Sequence, residues 1–361
     1  MTILSIAIPT YNRLTYLDKS LSRMESFPKI NNLQINYCIS ASGCSDGTRD
    51  YLSKIHEKNY YINIKKSKRT RWNWIYLKKL IPKETDWVWL FGDDDIILHS
   101  DGWLPIQKLI ETANNNNADI ISIPQSKRIL KEEIHIDTLI NLSVRFGMHE
   151  ILGWMTSIIM RRSVFINFLN FMQIRFRNVY TDRGLLVNRV SPFLHSLILL
   201  KQNSNTNMIL ALQHIADEQI SISDKVTHTL NSRNAEFLKD RITFTFSEFK
   251  DLIILYDHTK KLSFYRYVNK TYLDLFINII AEKIIVSKNL PDLKAEFNEL
   301  LFIFERLDEK YKAQFRQKIN ILDEIINLKL PINYDKIKEA YNDTKRDYLG
   351  NFINDNLYNS I

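Results

Sequence analysis

The sequence predicts an α/β protein that gives way, near residue 232, to an α-helical region, and three observations carry this reading. Short apolar runs alternate with polar loops and then with stretches whose apolar residues recur at helical spacing, three times before Ile81. A fourth apolar run, Trp87 to Phe91, leads almost directly into three consecutive carboxylates, Asp93, Asp94 and Asp95. Seven of the eight glycines lie at or before Gly184, and from about Arg233 onward the apolar periodicity is helical.

The elements follow in order. Ile3 to Ile8 reads as a strand ended by Pro9, whose ring removes the N–H that a central ladder needs. The loop Thr10-Tyr11-Asn12-Arg13 then leads into a helix marked by Leu14, Leu17, Leu21 and Met24, with Asn12 as a candidate N-cap. Ile35 to Ser40 is a second strand. The small-residue turn Ala41 to Thr48 follows, then a helix over Arg49 to Lys58 capped by Asp46. Tyr61 to Ile64 is a third strand. Beyond it, five cations among the seven residues 65–71 precede a helix from Trp72 to Leu80, and a helix N-terminus attracts phosphate. Gly102 to Asn114 is a helix, and Asp119 to Ile123 a buried strand.

The acidic triplet sits at a strand end beside the core, because apolar residues flank it on both sides. Along extended chain, alternation puts Asp93 and Asp95 on one side and Asp94 on the other, a spacing that a divalent cation can bridge. Hard oxygen ligands suit Mg²⁺ or Mn²⁺, and such ions are often completed by substrate phosphates. A charged turn of helix-capping aspartates is the alternative, and both stand at this point.

With 361 residues, 45% hydrophobic and 25% charged, the chain has the composition of a globular protein of one or two domains, divided here as 1–232 and 233–361. Two cysteines, Cys38 and Cys44, exclude a disulfide scaffold and suit a reduced, cytoplasmic setting. No run approaches the ~20 apolar residues of a membrane span, and Met1 to Thr10 reads as a strand rather than a signal peptide. Residues 1–232 carry 28 Lys and Arg against 21 Asp and Glu, whereas the remainder is nearly balanced at 21 against 20. A basic front half around an acidic triplet suits an anionic, metal-chelated partner such as a nucleoside diphosphate, with nucleic acid as the competing partner.

Three strings, each at a predicted strand end, carry a resemblance: Ser5 to Arg13 (Ser-Ile-Ala-Ile-Pro-Thr-Tyr-Asn-Arg), Gly43 to Thr48 and Phe91 to Asp95. Together they resemble the bacterial family 2 glycosyltransferases over about the first 230 residues. The resemblance implies a GT-A, Rossmann-like nucleotide-sugar-binding domain with a mixed, mainly parallel sheet. It also implies inverting transfer of a sugar from a nucleotide-diphospho-sugar, a UDP-sugar in the first place, to an acceptor hydroxyl. By the same resemblance Pro9, Thr10, Tyr11 and Arg13 belong to the loop along the nucleotide, and Arg71 matches a base- or phosphate-contacting arginine. Asp93, Asp94 and Asp95 match the metal and sugar-diphosphate motif, with the metal on Asp93 and Asp95, or on Asp94 if the flanking strand sets the register. The acidic residue that commonly ends the second strand is replaced by Ala41 and Ser42.

Further along, Gly153 to Met160 resembles the strand that frames the acceptor side, where Trp154 is either a sugar platform or core. Asp182, ahead of apolar positions at helical spacing, matches the family's catalytic base, while its local sequence alone reads rather as a helix N-cap; Glu150 is the next acidic candidate. His214 matches a histidine that completes the metal shell in some relatives. The implied acceptor is a bacterial surface glycan, lipid-linked or protein-bound. Association with the inner face of the membrane, and a homo-oligomer through the C-terminal helices, are both compatible with the sequence. In those helices Tyr267 to Ile280 and Phe297 to Tyr311 form apolar stripes punctuated by Pro291 and Pro331. A nucleic-acid-binding or scaffolding protein is the rival reading, but it leaves the triplet without a purpose.

Overall fold

The computed structural model describes residues 1–41, 43–64, 73–126, 129, 131–146, 151–183, 192–219, 277, 280, 291–305 and 309–327. The chain divides into two compact units. The first comprises Met1–Leu142 and His149–Thr227, the second Ser143–Met148 and His228–Ile361. In the second unit two helices are described, Pro291–Glu305 and Glu309–Ile326. They bury Leu293, Phe297 and Leu300 on the one and Phe315, Ile319 and Leu322 on the other. The stripe expected from Tyr267 falls, apart from Ile280, outside the described residues, as does Pro331.

The first unit is built on ten strands among the described residues: β1 (Thr2–Pro9), β2 (Leu33–Ser40), β3 (Tyr60–Asn63), β4 (Trp87–Leu90), β5 (Asp95–Ile97), β6 (Ile120–Ser122), β7 (Glu133–Thr138), β8 (Ile158–Arg161), β9 (Asn207–Leu212) and β10 (Ala216–Glu218). Eight form one sheet in the order β3-β2-β1-β4-β8-β6-β9-β7, and β5 and β10 form a separate antiparallel pair. The run β3-β2-β1-β4 is parallel throughout; β8 enters antiparallel between β4 and β6. The sheet is therefore mixed, as expected, with its parallel half carrying the loops singled out above.

Burial explains the strand sequences. Leu4 to Ile8 of β1 and all of β4 are buried, so they read as continuous apolar runs rather than alternating ones. The polar exception in β1, Ser5, shares a hydrogen bond of 2.8 Å with Thr85. Helix α1 (Leu14–Glu25) buries Leu17, Leu21 and Met24 at helical spacing. A later helix over Leu104–Asn115 buries Ile106, Leu109, Ile110 and Ala113. These side chains join Leu4, Ile6, Trp87, Trp89 and Phe91 in one core on that face of the sheet. Helix α2 is shorter than its sequence suggests, Thr48–Leu52 against Arg49 to Lys58, because the chain turns at Ser53 and Lys54 before entering β3. Helix α3 spans Asn73–Leu80.

Candidate functional site

Register brings the carboxyl ends of the parallel strands together: Pro9 lies opposite Ser40, Ser40 opposite Asn63, and Ala7 opposite Leu90. The loops that follow β1, β2 and β4 therefore share one edge of the sheet, the edge at which open α/β folds place ligands. Two side chains knit the first two loops. Asn12, at φ 52°, accepts hydrogen bonds from the backbone N–H and the hydroxyl of Ser45. It is a crosslink and not the N-cap of α1, a position taken by Arg13. Asp46 accepts from Leu14 N–H at 2.9 Å and from Thr48 Oγ1 at 2.6 Å, joining the starts of α1 and α2. Partial burial opposes its ionisation, but the hydrogen bonds from Thr48 and Leu14 outweigh this and hold the carboxyl below its ordinary range.

The acidic triplet is not extended. Asp95 N–H donates to the Gly92 carbonyl at 3.2 Å, closing a turn, and β5 begins at Asp95. The alternation that would put Asp93 and Asp95 on one side is overturned by this turn. Asp93 and Asp94 instead converge on Arg13, whose Nη1 lies 3.1 Å from Asp93 Oδ1 and 2.6 Å from Asp94 Oδ2. Thr10 Oγ1 donates to the other oxygen of Asp93 at 2.7 Å.

Asp95 faces elsewhere. Thr156 Oγ1 and, at 3.3 Å, Trp154 Nε1 donate to its carboxylate. Its carbonyl accepts from Ser20 Oγ and Gln219 Nε2. A Cβ on Gly92 would meet Asp95 Oδ2 at 2.2 Å, so only glycine leaves the room that the carboxylate occupies. Gly92 N–H donates to Thr156 Oγ1 at 2.7 Å, and Gln219 N–H to the Asp94 carbonyl at 2.8 Å. Trp154, read from sequence as platform or core, is half-buried against the core with its indole N–H on this network.

The electrostatics follow from burial. Asp93 is pushed up to about 6, chiefly by burial, opposed by Arg13 and reinforced by Asp94. Burial and then Asp94 raise Asp95 well above the carboxylate range, against the hydrogen bonds from Thr156 and Trp154. Arg13 remains charged, since Asp93 and Asp94 together outweigh its own desolvation.

For a divalent cation the available oxygens are those of Asp93 and Asp94, which already converge on one cationic nitrogen. That donor set fits a hard cation held by two carboxylates and completed by phosphate oxygens. Asp95 does not join it, being turned into the Thr156 pocket. Among the described residues no three His, Cys, Asp or Glu side chains form a metal-holding group. His214 in particular is exposed, set outward by the tight turn of Gln213 and Ile215 beyond β9, with its N–H 3.3 Å from Glu132.

At the end of β2, where the resemblance expects an acid, neutral groups are linked instead. Ser40 Oγ donates to Asn73 Oδ1 at 3.2 Å, Asn63 Nδ2 donates to Ser40 Oγ at 3.1 Å, and Asn73 Nδ2 donates to the Thr10 carbonyl at 2.7 Å. Sequence reading missed Asn63, Asn73, Thr156 and Gln219. The asparagines carry a usable signal, each being a polar residue at the edge of an apolar strand or helix. Thr156 and Gln219 carry none. Tyr11 is 47% exposed on the β1 loop. Asp182 lies within the helix Arg162–Arg183, and the residues 184–191 that follow that helix fall outside the described residues. Arg71, Glu150, Ser42 and the rest of the basic loop fall outside the described residues.

The parallel run β3-β2-β1-β4, the antiparallel β8 and the carboxylate turn after β4 together define a GT-A glycosyltransferase fold. This is the fold that the sequence resemblance implies. Over 98 residues the chain is 32% identical to the abequosyltransferase RfbV of Salmonella typhimurium (strain LT2), a match covering 26% of this chain and 29% of that protein. The chain thus matches less than a third of that relative's length. The structure of S. aureus TarS 1–349 in complex with UDP-GlcNAc superposes with a TM-score of 0.56 at 13% identity, over 96% of this chain and 92% of that one. A longer TarS structure gives 0.51 at 13% identity, over 94% and 55%. No family model matches the chain. Among the described residues no helix is long and apolar enough to cross a membrane.

Proposed function

We propose that this protein is a glycosyltransferase that moves one sugar from a nucleotide-diphospho-sugar to a hydroxyl of a bacterial surface glycan, carried free, on lipid or on protein. The observation that carries the reading is the carboxylate turn after β4, held by Arg13 from the loop after β1 on the ligand-binding edge of a GT-A sheet. The partial match to an abequosyltransferase points the same way, as does a shared fold with a protein crystallised with UDP-GlcNAc.

In this reading Pro9, Thr10 and Tyr11 lie along the nucleotide, and Thr10 fixes the orientation of Asp93. Asp93 and Asp94 would hold Mn²⁺ or Mg²⁺ together with the diphosphate, and such an ion would supply positive charge for the departing nucleoside diphosphate. Arg71 is the further donor contact. The neutral Ser40, Asn63 and Asn73 in place of a carboxylate leave the preferred base to experiment. The inverting course and the assignment of the base to Asp182 rest on the sequence resemblance; a base there takes the proton of the attacking hydroxyl.

The test is thermal melting of the full chain with UDP, GDP, CDP or dTDP, each with Mn²⁺, since a ligand that binds only the native state raises the melting temperature. At least one should raise it, and the corresponding nucleotide sugar should be slowly hydrolysed. No shift with any of the four would remove the reading. In the same assays Asp182→Asn should lower transfer by about 10² to 10⁴-fold while the nucleotide shift persists. An active Asp182→Asn would move the base to another carboxylate, Glu150 first.

A further inference from the structure

We propose that Arg13 is the resident cation of the donor site, occupying the carboxylate oxygens until a nucleoside diphosphate draws it away and a divalent ion takes its place. The proposal rests on the nucleotide-sugar reading above and assigns a device within it. A single nitrogen, Arg13 Nη1, touches both Asp93 Oδ1 and Asp94 Oδ2. A divalent ion that uses those two oxygens competes with the guanidinium for the same lone pairs and is repelled by its charge. Ion and guanidinium therefore exclude each other.

The surroundings fix what can move. The Asp93 carboxylate is held from its other side by Thr10, and the Asp94 backbone by Gln219, so the turn that carries both carboxylates is pinned without Arg13. The Arg13 side chain, in contrast, makes no other hydrogen bond among the described residues and is 27% exposed. Its residue stands at the N-cap of α1, without a side-chain cap of its own. A guanidinium has a stronger claim on a diphosphate than on two separate carboxylates, because its planar fork matches phosphate oxygens bidentately. A nucleoside diphosphate entering at this edge thus offers Arg13 a better partner and uncovers the metal oxygens in the same step. The consequence is coupling: the nucleotide strengthens metal binding, and by linkage the metal strengthens nucleotide binding by the same factor.

Mn²⁺ binding followed by electron paramagnetic resonance of the free ion tests this without any turnover. The full chain, Arg13→Met, Arg13→Gln and Arg13→Lys are titrated with Mn²⁺ alone and again with saturating UDP, GDP or CDP. Without nucleotide, Arg13→Met and Arg13→Gln should bind Mn²⁺ at least about fivefold more tightly than the native chain, the low end of typical coupling between sites. Arg13→Lys, which keeps the charge, should stay close to the native value. The tightening that nucleotide gives the native chain should shrink in both neutral variants. Equal or weaker Mn²⁺ binding by the neutral variants, with the nucleotide effect on the native chain intact, overturns the role of Arg13 alone. Absence of any nucleotide effect on the native chain overturns the functional reading and this proposal with it. Two neutral variants of different polarity guard against one that fails to fold, and circular dichroism identifies it.

Discussion

Asp94 and Asp95 are adjacent and chemically identical, yet the side chain of Asp94 keeps 20% of its surface exposed against Arg13 whereas Asp95 is 1% exposed among Thr156, Trp154 and Ser20. One end of the turn meets the half-buried Arg13 guanidinium at the sheet edge; the other is bolted into the core. The difference is made by a single reversal of the backbone between Gly92 and Asp95, not by residue type. A run of like residues therefore says that a charged site exists, while the turn decides which member acts and which one anchors.

The largest effect expected from this contrast is on transfer. Asp94→Asn should lower it by about 100-fold or more while leaving the melting temperature near that of the native chain, and Asp93→Asn should lower it as far with the fold intact. Asp95→Ala should do the reverse in kind, losing stability first and activity in proportion to folded protein. Measuring transfer and melting side by side separates the two. If Asp95→Ala melts normally and loses transfer as Asp94→Asn does, the anchor and the acting residue have been assigned the wrong way round.

A second effect is on pH dependence. Burial raises Asp93 to about 6 in the folded state against 3.8 for an ordinary side chain. A carboxyl raised in this way contributes stability that is fully present below the unfolded value and is lost as pH rises through the folded one. The native chain should therefore lose stability relative to Asp93→Asn between about pH 4 and 6, by at most about 3 kcal/mol, and the difference should be level above that window. Melting both proteins from pH 4 to 7.5 reads this directly; a pH-independent difference would show that Arg13 holds Asp93 ionised throughout.

Smaller again are the effects at the anchor. Gly92→Ala forces a Cβ onto Asp95 Oδ2 and should destabilise by about 1–3 kcal/mol, as overpacking does. Thr156→Val leaves Gly92 N–H and one Asp95 oxygen without their partner and should cost a similar amount. Urea denaturation of the two variants and of the double variant adds the coupling between them. Additive losses would mean that Gly92, Asp95 and Thr156 do not act as one unit.

The sequence is legible where burial alone decides the residue type. Trp87 to Leu90 could only be a buried strand, and the helical spacing of Leu17, Leu21 and Met24 survives intact in α1. The site was legible as a place, because three strand ends carry its loops. Its wiring was not. Arg13 is the cation that neutralises the turn, and it lies 80 residues upstream of Asp93, a distance over which local pattern carries no information. Alternation failed at Asp93 to Asp95 because it presumes extended chain; Gly and Asp also favour turns, so the string admitted both an extended and a turned reading, and the Gly92–Asp95 hydrogen bond is of the turned kind. Asn12 looked like a cap because asparagine caps helices; the same side chain at positive φ instead reached Ser45.

The last and smallest expectation concerns Trp154, whose indole N–H lies 3.3 Å from Asp95 Oδ1, longer than most bonds of the anchor. Trp154→Phe keeps an aromatic ring against the core and removes only that donor. A net hydrogen bond contributes about 0.5–1.5 kcal/mol, and this long one belongs at the lower end. The carboxylate keeps Thr156, so it is not left unsatisfied. Stability should fall by about 0.5 kcal/mol, transfer should remain within about twofold, and the neighbouring Asp94 should bind Mn²⁺ as before. A stacking platform for the acceptor sugar behaves differently, since phenylalanine offers a smaller face and the loss would appear in the acceptor KM rather than in stability. Urea denaturation together with the acceptor KM of Trp154→Phe thus decides between the two roles. A raised acceptor KM at unchanged stability would move Trp154 from the anchored end of the turn to the substrate side.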